Sequence, residues 1–330
     1  MTKKHPKNVG ASVKTRLLAL SKKRGEDFNL VLIRYGLERL LHRLGRSQYG
    51  TTFILKGAML FAVWSGHPHR ATKDLDLLGS GSPDLDRLVR IFRDVLVVPV
   101  DDDGLVFDPS SVMAGRIKED AEYEGVRVTL DVKLDTAKLT LQVDVGFGDA
   151  VTPAPTTIEY PSLLGLPASR LLAYPKETVV AEKLQAMVHL GLANSRMKDF
   201  FDLWFLAREF SFDGQVLRDA IGATFERRGT PIPIAVPFAL TEGFSADKQK
   251  RLQWKAFLER SGVAPVAPGL DEVIQAIVPF VLPPLDAVKA GQPFVRSWPP
   301  SGPWGEPGTF EAPSTAILGG GDDSWGEEVA

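Results

Sequence analysis

The chain has no cysteine among its 330 residues. That excludes a disulfide framework, a thiolate metal site and a cysteine nucleophile. Histidine is scarce. There are five, and His67 and His69 are the only close pair, so a histidine-built zinc site is not expected. Long apolar runs are also missing. The longest, 273–285, is broken by Pro279, Pro283 and Pro284 and falls short of the ~20 residues a membrane span needs. Near the N-terminus, Leu17-Leu18-Ala19-Leu20 is too short for the apolar core of a signal peptide. The expectation is a cytoplasmic protein with no membrane partner.

What is present is ordinary in bulk and uneven in detail. A hydrophobic content of 44% with 24% charged residues fits a globular protein, and the length fits about two domains. The net charge of −2 hides an asymmetry. Residues 1–50 carry twelve Lys or Arg against three Asp or Glu, whereas 291–330 carry only Arg296 against six acids. A basic end on a nearly neutral chain points to a polyanionic partner or to a solvated basic helix. Gly and Pro supply 14 of the last 40 residues, so 291–330 is expected to be a disordered or docking tail.

Periodicity divides the rest. Leucines at helical spacing predict helices over 11–45, separated at Gly25. A β-prone run at 51–55 is followed by a turn at Gly57 and a short helix to 65. Residues 74–78 read as a strand, and 83–95 as an amphipathic helix with Ser82 as its N-cap. Strand patterns follow at 105–107, 125–134 and 139–145. Strands with few helices between them predict a mixed, partly antiparallel sheet and not a doubly wound one. Beyond the proline-rich 153–167 stretch the pattern turns helical, at 177–190, 196–210, 213–228, 245–262 and 270–281. The predicted parts are a basic helical segment (1–48), a sheet domain (49–165), a helical domain (166–290) and the tail (291–330).

The chemistry concentrates around Asp74-Leu75-Asp76. Residues two apart on a strand share a face, so both carboxylates point the same way in an otherwise apolar strand. Paired carboxylates without an intervening cation repel, which suggests a site for hard divalent ions. Asp144 lies on the polar face of the Leu139-Thr-Leu-Gln-Val-Asp-Val145 strand. Were that strand to pair beside the first, three carboxylates would meet and could hold two Mg²⁺ ions about 3.5–4 Å apart, with Mn²⁺ as an alternative. Asp144 is then the candidate proton acceptor. Gly57 allows backbone N–H groups to approach a triphosphate, and Lys56 and Arg70 could supply charge to it. Lys183 emerges at the edge of an apolar helix face, and Asp202 sits among Phe200, Phe201, Leu203 and Trp204. An ion pair between Lys183 and Asp202 is one explanation; an acid and a base flanking the site is the other. Glu182 reads either as a solvated charge or as part of this group.

These residues resemble a known family, the AbiEii-type nucleotidyltransferase toxins, which include the mycobacterial MenT toxins. The likeness rests on Phe53-Ile-Leu-Lys56-Gly57-Ala58, then Arg70-x-Thr72-x-Asp74-Leu-Asp76, then Val143-Asp144-Val-Gly-Phe-Gly148-Asp149. It continues with Glu177-x-x-x-Ala181-Glu182-Lys183-Leu-x-Ala186 and Lys198-Asp199-x-x-Asp202-Leu, and so covers about 50–205. The resemblance implies an α+β fold: a DNA polymerase β-like nucleotidyltransferase palm, a mixed sheet with flanking helices, plus a helical C-terminal domain. It implies Asp74, Asp76 and Asp144 as metal ligands, and Lys56, Gly57, Ala58, Arg70, Thr72, Lys183 and Asp199 around the nucleotide. Lys183 and Asp202 join the carboxylates as catalytic residues. Ala58 is a departure, since many relatives have a second glycine there and wider relatives a serine, so backbone contacts must serve the phosphate.

The implied function is that of a toxin in a type IV-like toxin–antitoxin, or abortive-infection, module. It would be an Mg²⁺-dependent enzyme adding nucleotides, pyrimidines foremost, from an NTP to the 3′ end of tRNA, with an antitoxin of the AbiEi type as partner. The alternatives are a protein or small-molecule hydroxyl as acceptor, a non-catalytic NTP- or RNA-binding module, and a metal-dependent nuclease.

Overall fold

The computed structural model describes residues 8–66, 68–117, 125–263 and 266–308. His67, the basic residues Lys3, Lys4 and Lys7, and the tail from 309 onward lie outside the described residues. Two helices open the chain: α1 (Val9–Arg24) and α2 (Phe28–Arg46), with Gly25 in the left-handed conformation closing the first. Then come β1 (Phe53–Lys56), α3 (Leu60–Ser65), β2 (Asp74–Gly79), α4 (Leu85–Leu96), β3 (Leu105–Ile117), β4 (Gly125–Leu134), β5 (Ala137–Phe147), β6 (Thr156–Tyr160) and β7 (Ser169–Ala173). The remainder comprises α5 (Lys176–Leu190), α6 (Met197–Glu209), β8 (Phe212–Asp213), α7 (Gly214–Arg227), α8 (Glu242–Ala246), α9 (Lys248–Ser261), α10 (Leu270–Ala290) and β9 (Ser297–Trp298).

Seven strands form one mixed sheet in the order β3-β4-β5-β2-β1-β7-β6. The β2–β5 and β1–β7 pairs are parallel and the other pairs are antiparallel. The alternation in β2 and β5 sets the two faces. Leu75, Leu77, Leu141, Val143 and Val145 are all buried, as are Val126 and Val128 of β4. Each such side chain taken from water stabilises the fold by about 1.5–3 kcal/mol. Helices α2 and α4 cover this apolar face. Gly36 of α2 permits close approach, because a Cβ there would meet the Leu141 methyls at 3.0–3.1 Å. The carboxylates therefore point away from α2.

The structure departs from the sequence expectations in several places. Asp84, not Ser82, caps α4; its Oδ1 accepts from the Arg87 N–H at 2.7 Å. Strands β6 and β7 fall where no strand is expected, and β7 carries the sheet past residue 165 by pairing with β1. The basic character of α2 is committed internally. Arg39 and Arg43 are buried and bond Asp103, and Arg34 pairs with Glu26. Helix α2 is thus a core element whose Arg39 and Arg43 are not a surface for a polyanion, whereas Arg46 at its end and Lys22, Lys23 and Arg24 of α1 are exposed.

Helix α10 runs to Ala290 through all three prolines. It is the one helix among the described residues long and apolar enough to cross a membrane, but Val273, Ile277, Phe280 and Val281 are buried against the neighbouring helices. Its survival past Pro284 has a local cause. Proline lacks the N–H that would bond the Phe280 carbonyl four residues back. Trp304 Nε1 donates to that carbonyl at 3.0 Å, and the indole stacks on the Phe280 ring. Trp298 is buried beside it, with Nε1 donating to the Ala207 carbonyl at 2.7 Å, and β9 pairs with β8. Residues 291–308 therefore dock on the helical half, so disorder does not apply to this part of the tail.

Candidate active site

Register builds the site. In the ladder, Lys56 of β1 opposes Asp76 of β2, Asp76 opposes Asp144 of β5, and Asp144 opposes Arg127 of β4. Cross-strand partners share a face, so these four side chains form one row, cation–anion–anion–cation. Asp74 lies one row down beside Gln142. One carboxylate oxygen each from Asp74, Asp76 and Asp144 lies within 4.8 Å of the others. The expected triad is assembled. Thr72 Oγ1 donates to Asp74 Oδ1 at 2.5 Å and orients that carboxylate.

Gly57 is required here. Its φ is +75°, and a Cβ would lie 2.7 Å from both Cβ and Cγ of Asp76 and overlap the carboxylate oxygen. The turn thus leaves the space that Asp76 occupies. Ala58 is buried behind it, in the short helical turn Gly57–Met59 that leads into α3.

Burial, then the adjacent Asp74 charge, push the Asp76 carboxyl up to about 6, against opposing fields from Lys198 and Lys56. The protein's own cations leave this carboxylate under-compensated. Three clustered oxygen donors with an under-compensated charge fit a hard divalent cation, which Asp74, Asp76 and Asp144 would hold.

The other expected residues are brought close by but are already paired. Lys56 Nζ contacts Asp149 Oδ2 at 2.9 Å and Glu182 Oε2 at 3.4 Å, and Arg228 pairs with the same two carboxylates from the far side. Burial would lower the Lys56 ammonium, but Glu182 and Asp149 hold it well above its usual range. Arg70 grips Asp202 with both arms of its fork, Nε to Oδ1 at 2.8 Å and Nη2 to Oδ2 at 3.0 Å. Lys183 Nζ lies 2.7 Å from Asp199 and 2.8 Å from Asp202, and Arg196 Nε completes the group on Asp199 at 2.7 Å.

Asp202 is fully buried, so desolvation alone would raise its carboxyl. Arg70, Lys183 and His69 overcome this and hold it well below the usual range. Asp199 is drawn down to about 2 by Lys183 and Arg196 against the same burial cost. Of the two readings of Lys183 and Asp202, the geometry is that of an ion pair. A carboxylate held so firmly ionised and so fully bonded orients its partners.

Sequence reasoning missed three contributors. Arg127 bonds both oxygens of Asp144, at 2.8 Å each. A two-residue turn at 135–136 between β4 and β5 places 127 opposite 144, so counting back from Asp135-Thr136 finds it. Arg228 ties α7 to Asp149 and had no local signal. His69 Nε2 lies 2.6 Å from Asp202 Oδ1 with the ring stacked on Phe61, and burial lowers its pKa. The neutral ring is a donor that braces Asp202.

A sheet that presents clustered carboxylates to helices closing over its open face is the arrangement of a phosphoryl-transferring enzyme. Sequence comparison narrows the class. A sequence model described as nucleotidyl transferase AbiEii toxin, of a type IV toxin–antitoxin system, matches residues 39–276, well over half of the chain. The chain belongs to this family of nucleotidyltransferases. Family membership implies an NTP substrate and an antitoxin partner. Among solved structures, one of an H. pylori protein provisionally assigned as a nucleotidyltransferase shares 15% identity, with a TM-score of 0.47 over 81% of this chain and 100% of its own. JHP933 from Helicobacter pylori shares 14%, with a TM-score of 0.48 over 80% of this chain and 95% of its own. No curated protein matches the sequence.

Proposed function

We propose that the protein transfers a nucleotide, a pyrimidine foremost, from an NTP to the 3′-hydroxyl of tRNA in the cytoplasm, and so stops translation until an antitoxin of the AbiEi type intervenes. The observation that carries transfer chemistry is the register that sets Asp144 beside Asp76, with Asp74 one row away and oxygens within 4.8 Å. A pure binder has no use for the third carboxylate. A divalent cation held there, Mg²⁺ ahead of Mn²⁺, would neutralise charge on the phosphates and make the attacking hydroxyl more acidic.

The chain's own residues do the rest. The glycine turn at Gly57 and Ala58 offers backbone N–H groups to the triphosphate. Lys56 immediately precedes this turn, and Arg70 lies in the loop that leads into β2. Each holds a carboxylate, so a triphosphate gains their charge only by sharing it. Asp199 and Asp202 fix Lys183 at the helical side of the cleft. The 3′-oxygen attacks the α-phosphorus as the bond to pyrophosphate breaks, and its proton passes to Asp144. Tight orientation of the two reactants carries much of the rate.

The test is incubation with total tRNA and each labelled NTP plus Mg²⁺. The expected result is label on RNA with one base preferred, absent for Asp76→Ala. Label on protein or on a small hydroxylated acceptor moves the reading to those substrates, and shortened RNA moves it to a nuclease. NTP binding with neither label nor pyrophosphate release leaves a binding module.

A further inference from the structure

The cations around the carboxylates fall into two groups. Lys56, Arg70 and Lys183 are buried for most of their length and are held by Asp149, Glu182, Asp199 and Asp202, none of which belongs to the triad. Arg127 differs on each count. Its side chain is 46% exposed, and its partner is Asp144, a member of the triad that is itself 17% exposed. It stands on β4, at the end of the row farthest from β1 and the glycine turn. The Gln142 carboxamide, oriented with its oxygen toward the guanidinium, accepts from Nε and Nη2 at 3.2 Å. The fork therefore lies flat along β5, at the lip of the site.

If the triphosphate lies over the turn after β1, the acceptor approaches from the β4–β5 side. A hydroxyl beside Asp144 then puts the phosphodiester of its own nucleotide one strand further out, where Arg127 stands. A phosphodiester offers the guanidinium the same two-oxygen face as a carboxylate. A half-exposed ion pair is weak, so exchanging one oxygen pair for the other costs little.

We propose that Arg127 is the acceptor-side phosphate contact. Its guanidinium exchanges the Asp144 carboxylate for a backbone phosphate of the RNA strand being extended, which selects a polynucleotide over a small hydroxylated acceptor. This rests on the RNA reading above. One consequence is specific: Asp144 and the RNA compete for the same fork.

The test is equilibrium binding of a short, 5′-labelled single-stranded RNA with a free 3′-hydroxyl, by fluorescence anisotropy, across a salt series in EDTA. Arg127→Gln is expected to weaken binding about tenfold at low salt and to flatten the slope of log K against log salt by about 0.7, one phosphate contact on a single strand. Arg127→Lys keeps the charge and is expected to restore the slope. Asp144→Asn releases the fork and is expected to tighten RNA binding several-fold; in the Arg127→Gln background that gain should disappear. In steady-state assays Arg127→Gln should raise the KM for RNA and leave the KM for NTP within about twofold, on the same principle that a lost phosphate contact acts on the strand. An unchanged salt slope with only kcat reduced means that Arg127 merely props Asp144, and overturns the inference alone. Wild-type protein that binds no RNA overturns the RNA reading and this inference with it.

Discussion

Replacing Asp76 by asparagine should abolish nucleotide transfer and, in metal-free buffer, make the protein more stable. The side chain sits between Asp74 and Asp144 and against Gly57, and its carboxyl is pushed up from 3.8 to about 6, first by burial and then by Asp74. A raised carboxyl pKa means that the folded chain keeps its proton where the unfolded chain has lost it. Stability therefore falls as pH rises from about 4 to about 6, and the full cost is present above that. The shift of about two units corresponds to about 3 kcal/mol, and partial solvent access reduces it to about 2–3 kcal/mol. Asparagine removes the charge with little change of shape. For a chain of this length the gain amounts to a rise in Tm of about 3–4 °C at pH 7.5. The assay is a thermal melt of wild type and variant in EDTA at pH 4 and pH 7.5. The gain should be present at pH 7.5 and absent at pH 4. Adding Mg²⁺ to about 100 times its Kd should then stabilise the wild type by about 2.7 kcal/mol and the variant much less. A variant less stable than wild type at pH 7.5 in EDTA, or a gain of equal size at both pH values, refutes the argument that these carboxylates are under-compensated.

Other outcomes follow from neighbouring geometry. Gly57→Ala forces a Cβ into the Asp76 carboxylate and holds alanine at a φ of +75°, so transfer should drop by about 100-fold or more even where the protein still folds, as read by initial rates alongside circular dichroism. Asp202→Ala leaves Arg70 and Lys183 buried without their shared carboxylate and should cost about 3–5 kcal/mol in urea unfolding. Because the Asp202 carboxyl is held well below the usual range, that difference should be constant from pH 5 to 8 and shrink only in strong acid, as the folded carboxyl takes up its proton. Trp304→Phe keeps the ring stack but leaves the Phe280 carbonyl without a donor, and should cost about 1–3 kcal/mol. Pro284→Ala restores the missing N–H, so the tryptophan change should cost measurably less in that background; an equal cost in both backgrounds rejects the carbonyl argument.

The carboxylate site was legible because its signal is local. Asp74 and Asp76 share a strand face by period alone, and the alternation at 139–145 puts Asp144 on a polar face; only their pairing required the fold. The Lys183–Asp202 pair was one of the readings the sequence offered, but the partners of Lys56 and Arg70 were less legible, since they come from α5, α6 and Asp149 after β5, and spacing says nothing about helices that fold back over a sheet. The short strands β6 and β7 were hidden for different reasons. Thr156-Thr-Ile-Glu-Tyr160 is β-prone but lies between prolines, whereas Ser169-Arg-Leu-Leu-Ala173 is helix-prone and is a strand only because β1 and β6 flank it. The prolines of 270–290 pointed to an early helix end. The helix continues because packing outweighs their cost and Trp304, twenty residues away, supplies one missing donor. In the basic N-terminal stretch charge count does not reveal direction: Arg39 and Arg43 face Asp103 inside the protein, whereas Lys22, Lys23, Arg24 and Arg46 are exposed.

The most direct test of the central claim is the mass of the tRNA 3′ end after incubation with protein, NTPs and Mg²⁺. The account predicts RNA heavier by whole nucleotide residues, with pyrophosphate released in equal number and no change for Asp76→Ala. RNA of unchanged or reduced mass, with wild-type protein that is folded and binds NTP, would contradict it.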